Sequence, residues 1–183
     1  LHAVRQQWED RLSLLRFDLP DPAMALMLGR WLPYQVQASR LWMRAGFYQA
    51  GGALGFRDQL QDMLALLHTR PAAVRAHLLE CAAHQFEEGD VQHWWHPPRY
   101  GVRTRISDDK LFLPYVTALY VQTSGDASVL GEEVPYLHGD PLSEEETERL
   151  FTPEVSEISE PLRLHCLRAI DHVACGAHGL PLM

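Results

Sequence analysis

The chain is poor in positive charge, in long apolar runs and in cysteines that could pair. Sixteen Lys and Arg stand against 24 Asp and Glu, for a net charge of −8. A nucleic-acid or anionic-membrane surface needs a basic footprint, so neither is expected as a partner. A neutral sugar is not excluded. No apolar stretch approaches the ~20 residues of a membrane helix, and no direct membrane contact is expected. The opening from Leu1 to Arg16 carries Arg5, Glu9, Asp10 and Arg11, unlike a signal peptide. There is no initiator Met, and the sequence stops at Leu182-Met183 after a Gly/Pro turn, so both ends read as cut from something longer. Cys81, Cys166 and Cys175 are an odd number without metal-ligand spacing. They read as buried reduced thiols, with the cytoplasm as the default location. A Ser/His/Asp order, a P-loop and a dinucleotide fingerprint are missing too.

What is present is 183 residues, 46% hydrophobic and 22% charged, enough for one soluble domain with its own core. Apolar positions recur at helical spacing. Asp21-Pro22 starts a helix that runs from about Ala23 through Trp31, Tyr34 and Trp42, with a kink expected at Pro33. Gly51-Gly52 and Gly55 break the chain. Helices continue over about Arg57 to His68 and Pro71 to Phe86. Ser107 is read as the cap of another that ends at Gly125, with Asp108 and Asp109 in its first turn, where the macrodipole favours acids. A last helix spans about Pro161 to Val173. Between these, Glu88 to Arg105 holds Gly89, Pro97, Pro98 and Gly101 and reads as a long loop of the functional kind. Pro135 to Pro161 reads as acidic and irregular, with Glu144-Glu145-Glu146 at a solvated helix start. With no strand ladder evident, the expectation is an all-α domain of antiparallel helix pairs, its loops gathered at one end.

Three clusters hold the chemistry. The first is the glycine-rich turn and polar helix start from Arg44 to Asp62. Asp58 and Asp62 lie at i,i+4 and share a face, as do Arg57 and Gln61; carboxylate and guanidinium groups so placed fix sugar hydroxyls or an oxyanion. An amphipathic helix with acids near its N-terminus gives the same spacing, and spacing does not decide. The second is Asp90-Val91-Gln92-His93-Trp94-Trp95-His96. Aromatics beside His and Gln suit a sugar, which offers an apolar face and polar edges; Trp94 and Trp95 anchoring the segment on the core is an equal account. Zinc at His93 and His96 would want a third ligand. The third is Arg103-Thr104-Arg105-Ile106-Ser107-Asp108-Asp109, where capping accounts for the acids. Its arginines line a polar cleft or pair with surplus acid.

Together, Arg30-Trp31-Leu32-Pro33-Tyr34-Gln35, Gly55-Phe56-Arg57-Asp58-Gln59-Leu60-Gln61-Asp62, Gln85-Phe86-Glu87-Glu88-Gly89-Asp90, Ile106-Ser107-Asp108-Asp109 and His178-Gly179-Leu180-Pro181-Leu182 resemble, in order, the catalytic domain of glycoside hydrolase family 94. The wording is most similar to the phosphorylase-like domain of cyclic β-1,2-glucan synthases and to β-1,2-oligoglucan phosphorylases. The resemblance implies an (α/α)6 barrel whose N-terminal portion spans 21–183, with 1–20 a linker or the end of a preceding element. It also implies inverting phosphorolysis of a β-glucan, with inorganic phosphate as co-substrate and no cofactor or metal. Such an enzyme needs an acid and no base, because phosphate is itself the nucleophile. By resemblance Arg44 binds phosphate and Asp58 binds the transferred glucosyl unit. Arg57 and Asp62 would support Asp58 from the same helix, and His93 and Trp94, candidates from the residue pattern above, complete the expected substrate site. Gly51-Gly52 stands where cellobiose phosphorylases carry a further sugar-binding arginine, which favours the β-1,2-glucan branch. The family's Asp-Trp-Asn-Asp segment, with the general acid, is expected beyond Met183, so this stretch alone is expected to be inactive. A non-catalytic glucan-binding or chain-length-controlling module of a larger membrane-bound synthase is the alternative.

Overall fold

The computed structural model describes residues 1–44, 51–180 and 182. Ala45 to Ala50 within the glycine-rich segment, and Pro181 in the closing motif, lie outside the described residues. The chain divides into two compact units, Leu1–Gly52 and Ala53–Met183.

The first unit is helical. Helix α1 spans His2–Leu12. Asp21 then caps α2 (Pro22–Leu26), its carboxylate accepting from the backbone N–H groups of Ala23 and Met24 at 2.9 and 3.4 Å. Pro33 does not break the helix. The backbone widens into i→i+5 turns over Met27–Trp31, returns to α geometry in α3 (Leu32–Gln35), and widens again over Val36–Trp42. Wider turns accommodate the backbone bond that proline cannot make. Glu9 and Arg30 form a two-pronged ion pair between α1 and the first wide turn.

The second unit overturns the all-α expectation, and with it the part of an (α/α)6 barrel. It is mixed α/β. Helices α4 (Phe56–Met63), α5 (Pro71–Ala82), α6 (Phe112–Ser124) and α7 (Leu162–Asp171) pack with two antiparallel sheets. One sheet has the order β1-β2-β3-β5, with β1 Leu54–Gly55, β2 Gln92–His96, β3 Tyr100–Thr104 and β5 Glu148–Phe151. The other pairs β4 (Glu133–His138) with β6 (Glu154–Pro161). The supposed loop from Glu88 to Arg105 is mainly the β2–β3 hairpin, whose glycine and prolines punctuate strands rather than replace them. Gly101 lies opposite Trp95, where a Cβ would come within 2.2 Å of the Trp94 carbonyl oxygen, so only glycine fits that register. The supposed irregular acidic stretch holds β4, β5 and β6. Glu144 to Glu146 lie in a turn before β5 and start no helix.

The core is built from Phe56, Leu60, Leu78, Phe86, Leu113, Val116, Leu137 and Leu162, all fully buried. Several polar groups inside it are matched. Tyr136 stacks on His165 at 3.9 Å, and Gln85 bridges the His165 ring to the Gly89 carbonyl. Arg103, 2% exposed, is clasped by Asp90 in a bidentate pair and by Glu88, and lies over the Phe86 ring at 3.9 Å. The Gln85-to-Asp90 motif thus serves as polar glue within the core. Cys81 and Cys166 are buried thiols as expected, whereas Cys175 is exposed; none is disulfide-bonded. No helix among the described residues is long and apolar enough to cross a membrane.

Candidate functional site

The polar start of α4 is assembled against β2. Gly55 ends β1 opposite Trp94 of β2 and gives way directly to α4. Asp58, in the first turn, folds its carboxylate back over Gly55: a Cβ at residue 55 would stand 2.5 Å from Asp58 Oδ2. Glycine here makes room for a functional side chain, and the helix start favours its negative charge. Asp62 comes one turn later on the same face, half-buried like Asp58.

Two neighbouring acids complete the cluster. Asp108 and Asp109 do not cap with their side chains as the sequence suggests. They open a single 3-10 turn, Asp109–Leu111, which has no side-chain cap, ahead of α6. Asp108 Oδ2 instead accepts from Arg57 Nη1 at 2.6 Å, and the Arg57 guanidinium lies over Phe112 at 5.3 Å. Asp109 Oδ2 accepts from His93 Nδ1 at 2.6 Å. Asp109 is buried, while the His93 side chain is 37% exposed. That hydrogen bond lifts the His93 pKa above its ordinary value against the opposing effect of burial, helped by the charges of Asp109, Asp58 and Asp108. His93 is therefore a cation-leaning donor on the side of the fold where Asp58 sits.

The reason His93 reaches this position is a bulge. Gln92 pairs with Arg103 and Trp94 with Val102, leaving His93 as the extra residue of β2. The strand also separates its two tryptophans. Trp95 is 1% exposed and stacks on His84 at 3.8 Å, as a core anchor; Trp94 is half-buried, edge-on to His96 at 5.8 Å. Among the described residues no group of three His, Cys, Asp or Glu is placed to hold a metal.

Arg57, Asp58, Asp62, His93 and Trp94 thus all belong to the second unit, around the α4 start and β2. Arg44 belongs to the first unit, half-buried, with a left-handed φ of 50° that is uncommon outside glycine. Asp108 and Asp109 are the site residues that sequence reasoning missed as side-chain partners. Their partners lie 51 and 16 residues away in sequence, so no local signal marked them.

Compared with known proteins, residues 7–183 match the Glycosyl hydrolase 94 superfamily, catalytic domain. The chain belongs to this family. It is 45% identical over its whole length to the cyclic beta-(1,2)-glucan synthase NdvB of Rhizobium meliloti (strain 1021), covering 7% of that protein. It is 27% identical over 74% of its length to the N,N'-diacetylchitobiose phosphorylase of Vibrio furnissii, covering 21%. To the 3-O-beta-D-glucopyranosyl-beta-D-glucuronide phosphorylase of Paenibacillus borealis it is 24% identical along its full length, covering 22%. The chain therefore spans between 7% and 22% of the length of these relatives. As a family 94 segment it is related to glycoside phosphorylases and glucan synthases.

Proposed function

We propose that this family 94 segment binds the glucosyl unit of a β-glucan oligosaccharide, in a domain that transfers that unit to inorganic phosphate with inversion. The observation that carries the reading is the meeting of Asp58, Arg57 and His93 at one helix start, with Asp108 holding Arg57 and Asp109 holding His93. Asp58 accepts from sugar hydroxyls, and His93 donates. Trp94 offers an aromatic face, and Arg57 and Asp62 fix the polar edge. Arg44 holds phosphate, which needs positive charge to approach the anomeric carbon. Asp108 and Asp109 are each committed to a side-chain partner, and no Asp-Trp-Asn-Asp run occurs in the sequence. The proton for the departing sugar is accordingly assigned to an acid outside these residues, and the 183 residues alone are expected to release no glucose 1-phosphate. No cofactor is called for. The free thiols fit a reducing compartment, so the cytoplasm is the proposed location.

The second reading, a non-catalytic glucan-binding or chain-length-controlling module of a membrane-bound cyclic β-1,2-glucan synthase, is favoured by the 45% identity to a protein of that name. One experiment separates the two. In the full-length parent, supplied with phosphate and β-1,2-glucooligosaccharides, Asp58→Asn should lower kcat/KM for the glucan at least about tenfold, the loss of one charged hydrogen bond. Arg44→Ala should chiefly raise the KM for phosphate. A parent that binds the glucan but releases no sugar phosphate would establish the module instead.

A further inference from the structure

The chain has 15 arginines and a single lysine, Lys110, and that lysine is inside the protein. It is 5% exposed and comes directly after Asp109 in the 3-10 turn before α6. A buried ammonium ordinarily has a carboxylate partner, because losing hydration is costly. Here every nearby acid is already committed. Asp90 and Glu88 clasp Arg103, Asp109 holds His93, and Asp108 holds Arg57. Among the described residues the Lys110 ammonium makes no hydrogen bond or ion pair; Asp90, Asp109 and Asp108 reach it only as charges at longer range.

Lys110 lines a cavity of about 430 Å³ within the second unit. Arg103, Arg105, Glu88 and Asp90 line it too, so three cations face two carboxylates in a chain of net charge −8. Arg105 spends Nε and Nη2 on the backbone carbonyls of Glu146, Leu142 and Ser143, while its Nη1 makes no hydrogen bond among the described residues. Two cationic donors thus remain open on one cavity. Its volume exceeds that of a lone oxyanion and admits a small molecule attached to one.

We propose that this cavity is an anion site, in which Lys110 and Arg105 hold one phosphate or carboxylate group of a small organic molecule. The site is separate from the Asp58 cluster and does not rest on the function proposed above. It borders that cluster through the turn, because Asp109 faces His93 and the next residue faces the cavity.

These 183 residues hold one lysine, so in the full-length parent, segmentally labelled over them with 13Cε-lysine, one side-chain signal reports on Lys110. Inorganic phosphate and acetate are titrated separately, against sodium chloride at matched ionic strength. The expected result is a saturable shift with at least one oxyanion and none with chloride. Saturation by phosphate alone assigns a phosphate monoester, and by acetate alone a carboxylate. Lys110→Met, checked for folding by thermal denaturation, should weaken binding of that oxyanion at least tenfold in calorimetry. Arg44→Ala should leave the Lys110 titration unchanged, which keeps this site distinct from the proposed co-substrate phosphate. A signal that drifts equally in all three salts without saturating would overturn the proposal, and that outcome needs no variant to fold.

Discussion

His93 Nδ1 and Asp109 Oδ2 stand 2.6 Å apart, one on the bulge of β2 and the other at the head of α6. The bond joins a half-exposed ring to a buried carboxylate, and it lifts the histidine pKa. A histidine raised on folding stabilises the protein fully below its ordinary value of about 6.5, and that stabilisation fades as pH rises through the folded value. Solvent screening limits it to about 1 kcal/mol at most. Asp109→Asn should lower the His93 midpoint in a proton NMR titration, and the loss of stability should be larger at about pH 5.5 than at about pH 9. An unchanged midpoint would show that the contact does not govern the ring.

Gly55 gives a second, more local test. A Cβ there meets the Asp58 side chain, its Oδ2 at 2.5 Å and its Cβ at 3.3 Å, so the carboxylate must turn aside while the backbone need not move far. Gly55→Ala should therefore fold with stability within about 1 kcal/mol of the parent, given that φ at residue 55 is an ordinary −73°. Its glucan affinity should nevertheless fall by about tenfold, the effect of misplacing one charged hydrogen bond. Normal binding in a folded Gly55→Ala protein would remove Asp58 from the sugar site.

These two residues also show what could be read from the sequence. The helices announced themselves through local punctuation: Asp21-Pro22 at a start, Pro71 at another, Gly125 in the left-handed conformation at an end. Family motifs singled out Arg57 and Asp58, on the helix that begins where Gly55 pairs with Trp94 of β2. The strands were hidden because their evidence is non-local. Gly101 looks like a loop residue until Trp95 is seen across the hairpin. The acidic stretch that holds β6 looks irregular until Tyr136 Oη of β4 donates to Glu160 at 2.9 Å. Asp108 and Asp109 were misread for the same reason. A macrodipole explanation is available within the helix, whereas Arg57 lies 51 residues away and His93 lies 16 away.

Arg103 predicts where stability is concentrated. Its side chain is 3% exposed, with the guanidinium bidentate to Asp90 and bonded to Glu88 and to the Gly139 carbonyl. Removing one partner of a buried pair leaves an uncompensated charge and costs about 3–5 kcal/mol. Arg103→Met should lose that much in urea denaturation. Arg103→Met combined with Asp90→Leu should recover part of it, since the stranded carboxylate is gone. If the double variant were as unstable as the sum of the two single ones, the pair would not be coupled.

His165 sets the acid limit of the fold. Its ring is fully buried between Tyr136 and Gln85, with acceptors at both nitrogens: Gln85 Oε1 at 2.8 Å and the Val134 carbonyl at 3.0 Å. Those acceptors favour the imidazolium, but desolvation outweighs them and takes the pKa down to about 4. The unfolded chain, with an ordinary value of about 6.5, then binds the proton more tightly than the folded one. Stability is unaffected by this group above about pH 7 and falls as pH drops from there toward about 4. The linkage amounts to about 2 kcal/mol at about pH 5 for a shift of this size. Denaturation at stepped pH should show that slope, and His165→Gln should flatten it even though the variant is less stable at neutral pH. A slope unchanged by His165→Gln would mean that the acid sensitivity comes from the paired carboxylates instead.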